Sequence, residues 1–389
     1  MIMPYMDITE FDEIRPYHDD ELPQIFEELI ADPAFQRAAS LTVPNVPFEV
    51  VADKMRDCKT KRDFQVAFCY GILKKIANDY TDGLTLNSDV DLEGEKAYTY
   101  ISNHRDIILD AGFLSILLVE RGLDTVEIAI GDNLLIYPWI KKLVRVNKSF
   151  IVQRALTMRQ MLESSKRMSR YMHYTINDKK QSIWIAQREG RAKDSDDRTQ
   201  DSVLKMLAMG GDGTAQERLA KMNIVPLTLS YEYDPCDYLK AQEFQLKRDF
   251  PEYKKTTQDD LRNMEVGMFG YKGHVHFHVG KCISDDILAM DFDKKASRTE
   301  LFARVSQLID RTVHLNYRFY PGNYVAYDLL LDTDEMSDKY SAQEKETFLK
   351  YVEKQIAKIE MENKDETYLH DKMLLMYANP LINNLRLKK

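Results

Sequence analysis

The hydrophobic residues of this chain change period along its length. From Phe48 to Tyr80, the residues Val51, Met55, Phe64, Ala67, Phe68, Ile72 and Ile76 recur largely at helical spacing, which predicts one or two amphipathic helices. Short apolar runs then take over: AYTYIS from Ala97, TVEIAI from Thr125, KSFIVQ from Lys148, QSIWIAQ from Gln181 and NIVPLTLSY from Asn223 read as strands. Between most of them lie helical patterns long enough for crossovers, ILDAGFLSILLVERG and RQMLESSKRMSRYMHY among them. Strands alternating with helices predict an α/β fold with a mostly parallel mixed sheet flanked by helices, and in such sheets ligands gather where strands end and helices begin. Past Tyr238 the pattern is mostly helical, apart from a strand HVHFHVGKCI starting at His274. The segment from Ser341 opens with Ser341 and Glu344 in capping-box spacing, and its stripe of Leu349, Val352, Ile356 and Ile359 predicts a helix packed against a neighbour. The chain thus divides into an acidic, proline-broken lead-in (1–44), N-terminal helices (45–94), an α/β domain (95–285) and a helical C-terminal segment (286–389).

Composition narrows the function. A net charge of −9 argues against a nucleic-acid partner, since a phosphate backbone needs a basic footprint. Cys58, Cys69, Cys236 and Cys282 are scattered without C-x-x-C spacing, which fits a reducing cytoplasm better than a disulfide or zinc framework. His274, His276 and His278 share one face of their strand, but no neighbouring carboxylate or cysteine cluster completes a metal site, so no metal is expected. The N-terminal segment lacks a basic, then apolar, secretory pattern, and no apolar stretch reaches the ~18 residues of a bilayer span. Membrane contact is therefore expected to be peripheral, on the inner face of the cell membrane.

The chemistry concentrates in Ser102-Asn103-His104-Arg105-Asp106-Ile107-Ile108-Leu109-Asp110, which closes a predicted strand and opens a predicted helix. A histidine suits proton removal from an alcohol, and a carboxylate on its other ring nitrogen fixes its tautomer. Asp106 alternatively caps the helix, with His104 bonded to a backbone carbonyl. His104-Arg105-Asp106 is not the catalytic loop of a protein kinase, because the required Asn position is Ala111 and no glycine-rich or D-F-G element accompanies it.

The segment resembles the first block, N-H-x-S-x-x-D, of the glycerophospholipid acyltransferases, the group of lysophosphatidic acid and glycerol-3-phosphate acyltransferases. Five residues rather than four separate His104 from Asp110, so the resemblance assigns the partner role to Asp110 with a one-residue bulge, or to Asp106. Three further blocks follow in order: Phe150, Ile151 and Arg154; Glu189-Gly190-Arg191, for the family's E-G-T-R; and Ile224-Val225-Pro226-Leu227. The resemblance implies O-acyl transfer from acyl-coenzyme A or acyl carrier protein to glycerol 3-phosphate or a lysophospholipid such as lysophosphatidic acid, in phospholipid biosynthesis. His104 would be the base, Arg154 and Arg191 the phosphate clamp, Glu189 and Gly190 acceptor contacts, and Pro226 a neighbour of oxyanion donors. No cofactor beyond the acyl donor is implied.

A basic run from Lys141 to Arg170 is expected to form a positive face for an anionic membrane surface or acyl carrier protein, with Tyr137 and Trp139 at the interface. Two rival readings remain: a lipid kinase using Gly210 to Thr214 as a phosphate loop, and a non-catalytic membrane-surface scaffold that binds lipid.

Overall fold

The computed structural model describes residues 8–43, 46–153, 158–291 and 298–388. Seven strands form one sheet: β1 (Gly83–Ser88), β2 (Thr99–Ser102), β3 (Glu127–Gly131), β4 (Ser149–Val152), β5 (Ile183–Ala186), β6 (Ile224–Tyr231) and β7 (His274–Val279). Their order is β1-β7-β6-β2-β5-β3-β4. All pairs are parallel except β6 with β7, so the fold is the expected α/β class with a mostly parallel mixed sheet. The six strands read from the sequence are present. β1 is not among them, for a physical reason: it is an edge strand whose only fully buried residue is Leu86, and Thr85, Asn87 and Ser88 leave little apolar signal.

Side-chain alternation sends each strand's residues to two cores. Ile101, Phe150, Ile183, Ile185 and Ile224 face the Met158–Asn177 and Arg298–Leu315 helices. Tyr98, Tyr100, Trp184, Val225 and Leu227 face the Leu109–Val119 helix. That helix is covered on nearly all sides, with Leu109, Phe113, Leu114, Leu117 and Leu118 buried. Each such side chain contributes about 1.5–3 kcal/mol of burial, which fixes the helix start where His104 sits.

The C-terminal helices Pro321–Leu331, Ala342–Ala357 and Glu366–Arg386 pack around Tyr238 and Leu239. Ser341 and Glu344 form the expected capping box. Phe348, rather than Leu349, joins Val352, Ile356 and Ile359 in this core. Gly210 to Thr214 forms no phosphate loop: Thr214 and Glu217 close a capping box on a seven-residue helix. All four cysteines are free. Among the described residues no helix is long and apolar enough to cross a membrane.

Candidate active site

β2 ends at Ser102, between β5 and β6, and the next residues carry the reactive groups. Asn103 extends the ladder with its side chain: Nδ2 donates to the Leu229 carbonyl at 2.9 Å, and Oδ1 accepts from the Leu229 N–H at 2.7 Å. This reciprocal pair fixes the backbone just ahead of His104. Arg105 is buried and donates through both terminal nitrogens to Asp197, at 2.9 and 2.5 Å. Removing one partner of such a buried pair costs about 3–5 kcal/mol, so this loop has little freedom to open.

His104 and Asp110 meet, with Nδ1 2.8 Å from Oδ2. Asp110 is fully buried, and the same Oδ2 accepts the Arg105 N–H at 2.7 Å while Oδ1 accepts the Tyr231 hydroxyl at 3.2 Å. Burial and the Asp110 charge hold the Tyr231 hydroxyl well above its ordinary pKa, so it serves as a donor. The His104 side chain keeps 13% of its surface exposed, and its ring meets Trp184 edge-on at 5.8 Å. Trp184 Nε1 in turn donates to Ser102 Oγ at 3.0 Å, which locks the indole. A ring pinned at Nδ1 leaves Nε2 as the nitrogen for proton transfer.

Asp106 does not partner His104. Its Oδ1 accepts the N–H groups of Ile108 and Leu109, at 2.8 and 2.7 Å, and so satisfies the start of the helix. Its Oδ2 lies against Gly267 so closely that a β-carbon there would overlap it. Burial first, then the Asp110 charge, push the Asp106 carboxyl up. The extra residue between His104 and Asp110 is absorbed in the non-helical turn ahead of Leu109, so the helix itself carries no bulge.

The remaining candidates separate. Arg154 lies outside the described residues. Glu189 and Gly190 are exposed in the turn after β5, where Gly190 takes φ +68 and the Glu189 N–H donates to Gln200 Oε1 at 2.8 Å. Arg191 reaches inward: Nη2 donates to Asn263 Oδ1 at 2.6 Å, and Nη1 is buried with no hydrogen-bond partner. Pro226 is not beside the site. It is buried in mid-strand, level with Ile101, and there is no turn next to it to supply oxyanion donors. The part of β6 that borders the site is Leu229 to Tyr231. Tyr231, Asp197 and Trp184 were not assigned a place in the site from the sequence. No spacing motif marks them, because each arrives from a different strand or loop.

The basic run is not an open positive face. Arg170 pairs with Glu10, Arg167 with Glu13, and Lys142 with Glu28, so the acidic lead-in neutralises much of it. Arg145 is buried, donating to the carbonyls of Arg15 and Asp12. Trp139 packs on Phe35 in the N-terminal core rather than projecting outward. The three alternating histidines diverge as well: His276 meets Thr85 and His278 meets Asp89. Among the described residues, His274 alone joins two carboxylates, Asp82 and Glu232, with donor atoms within 4.8 Å of one another. The sequence gives no sign of that group, because Asp82 and Glu232 come from distant segments. His274 Nδ1 is already 2.7 Å from Glu232 Oε2.

Residues 85–230 match the family model described as Acyltransferase. This segment is similar to an acyltransferase domain. The matched span runs from within β1 to the penultimate residue of β6; it contains His104 and Asp110 and stops one residue short of Tyr231. The four sequence blocks that resemble the glycerophospholipid acyltransferases all fall inside the matched span. No curated protein matches the chain's sequence. Among solved structures, the chain is similar to the 1-acyl-sn-glycerophosphate (LPA) acyltransferase PlsC from Thermotoga maritima, with 11% identity and a TM-score of 0.37, over 78% of this chain and 98% of that one.

Proposed function

We propose that this chain is an acyltransferase that moves a fatty acyl group from acyl-coenzyme A or acyl carrier protein to a hydroxyl of glycerol 3-phosphate or a lysophospholipid such as lysophosphatidic acid. The observation that carries the reading is His104 Nδ1 held 2.8 Å from a fully buried Asp110 that is itself fixed by Arg105 N–H and Tyr231. In this reading His104 Nε2 takes the proton of the acceptor hydroxyl as its oxygen attacks the thioester carbonyl. Asp110 keeps the proton on Nδ1 and stabilises the imidazolium that forms. The tetrahedral intermediate then expels thiolate, a leaving group with a parent thiol pKa near ~8.5, so no strong general acid is required. The acyl group passes directly to the acceptor, with no covalent acyl-enzyme.

The acceptor's phosphate calls for a guanidinium. The role of Arg191 in that clamp is supported by its buried Nη1, which has no partner. Arg154 remains the other proposed clamp residue, and Glu189 with Gly190 would border the acceptor. A lysophospholipid sits in a bilayer, and the same sheet end as His104 carries exposed apolar side chains in the segments after β3 and β4: Ile136, Tyr137, Met161 and Leu162. These favour a peripheral contact with the inner leaflet, driven more by apolar insertion than by the largely paired basic run.

The test is to incubate the pure protein with acyl-coenzyme A or acyl carrier protein and a panel of acceptors, following thiol release and identifying product by mass spectrometry. Thiol release that depends on a phosphate-bearing acceptor supports the reading. Release only with unphosphorylated acceptors, or none with any, contradicts it.

A further inference from the structure

Seven buried side-chain nitrogens and oxygens lack a hydrogen-bond partner among the described residues, and four of them belong to the five-residue segment 187–191 that follows β5: both amide atoms of Gln187, Arg188 Nε and Arg191 Nη1. Buried polar atoms are almost always satisfied, so a cluster of unsatisfied ones marks a place where a polar ligand or ordered water belongs. Within the segment the two arginines differ. Arg191 is tied inward to Asn263 and lies in the field of Asp106 and Asp234, which raises its pKa against the cost of burial. Arg188 has no ion pair or hydrogen bond from its guanidinium to any described residue, although Nε is buried. Other cations of this loop and its surroundings are taken: Lys193 by Glu243, Arg198 by Asp196, and Lys240 by Asp234.

Register places Arg188 next to the chemistry. Ser102 pairs with Ala186, and the ladder runs one step further through the Gln187 N–H to the Ser102 carbonyl at 2.8 Å. His104 and Arg188 are each two residues beyond that pair, on neighbouring strand ends. Trp184, on β5 four residues ahead of Arg188, meets the His104 ring edge-on.

We propose that Arg188 binds the phosphate of the acceptor, with Arg191 Nη1 as a second donor from beneath. The inference rests on the acceptor reading above and adds to it the residue that selects a phosphate monoester. A free guanidinium grips such a group through two parallel N–H bonds, and a hydroxyl attached one glycerol carbon or two away then falls within reach of the neighbouring imidazole. Arginines elsewhere among the described residues lack this combination of a buried, unsatisfied nitrogen and adjacency to His104.

Equilibrium binding decides the matter independently of turnover. Inorganic phosphate, glycerol 3-phosphate and lysophosphatidic acid in neutral detergent micelles are titrated into the wild-type protein, Arg188→Gln and Arg188→Lys, with monoacylglycerol in the same micelles as the uncharged control. Loss of two charge-assisted hydrogen bonds predicts a Kd for lysophosphatidic acid about ten- to hundredfold weaker in Arg188→Gln. Monoacylglycerol affinity and Tm should not change, and Arg188→Lys should recover part of the loss as a point charge without the fork. Weakening for lysophosphatidic acid and glycerol 3-phosphate but not for inorganic phosphate assigns the site to the glycerol-linked headgroup; equal weakening for all three assigns it to phosphate alone, and both support the proposal. Unchanged affinity in Arg188→Gln, or no phosphate-dependent binding by the wild type, overturns it. A wild type that binds through Arg188 yet releases no thiol would instead remove the proposed reaction and leave the binding site standing.

Discussion

Replacing Asp110 by Asn tests the dyad at its most informative point, because the side chain keeps its shape and loses its charge. The Asn carbonyl oxygen still accepts the Arg105 N–H, which lies 2.7 Å from Asp110 Oδ2, and the Tyr231 hydroxyl can turn to accept from the new amide. The fold should therefore persist, with a Tm within a few degrees of wild type. What disappears is the stabilisation of the imidazolium. At the observed 2.8 Å, and with an effective dielectric of about 20, a full charge is worth about 6 kcal/mol, or about four decades in rate. Counting only a hydrogen bond to a charged group gives a floor of about 1.5 kcal/mol, or about tenfold. Thiol release under saturating donor and acceptor should thus fall between about tenfold and 10⁴-fold, with the larger figure expected because the amide can also favour the wrong imidazole tautomer. A folded Asp110→Asn protein that keeps more than about a tenth of wild-type turnover would refute the reasoning.

Further predictions separate structure from chemistry. Asp106→Ala removes the acceptor for two N–H groups at the helix start and should lower stability by about 1–2 kcal/mol in denaturant titrations, while reducing turnover far less than Asp110→Asn does. Gly267→Ala places a methyl group against Asp106 Oδ2, and overpacking of about 1–3 kcal/mol should appear as a lower unfolding midpoint. Tyr231→Phe removes one hydrogen bond to Asp110 and should slow turnover by about two- to tenfold with little change in acceptor KM. Burial, then the nearby Asp234 charge, push Asp237 up to about 7, where Tyr351, Tyr377 and Gln355 bond it to the C-terminal helices. Between the ordinary carboxylate range and pH 7 the folded chain therefore holds a proton that the unfolded chain has lost, and the unfolding free energy should fall as pH rises through that window. Asp237→Asn should flatten this slope in thermal melts taken from pH 4 to pH 8.

The sheet was legible because its strands are buried and apolar. β4, β5 and β6 read as runs dominated by large hydrophobic residues, as strands covered on both faces must, and β2 carries Tyr100 and Ile101 between small polar residues, whereas the half-polar edge strand β1 carried no such mark. His104 and Asp110 were legible as a pair of residue types near a strand end, but the choice between Asp110 and Asp106 was not. Spacing alone cannot tell a helix-capping carboxylate from one turned toward an imidazole, since the difference lies in where the first helical turn begins. Pro226 was misplaced for a related reason: a Val-Pro pair shows that a strand is present without showing how far along it the site lies. The basic run misled because its partners, Glu10, Glu13 and Glu28, lie more than a hundred residues away in sequence. Local charge density says nothing about such pairs.

The central claim is that His104 activates the acceptor hydroxyl. Its most direct test is thiol release from acyl-coenzyme A or acyl carrier protein with lysophosphatidic acid, measured for wild type and His104→Ala side by side with their thermal melts. The account predicts unchanged melting and a loss of at least about a hundredfold in kcat, the lower end for a positioned general base. Near-normal turnover by the folded His104→Ala protein would contradict it.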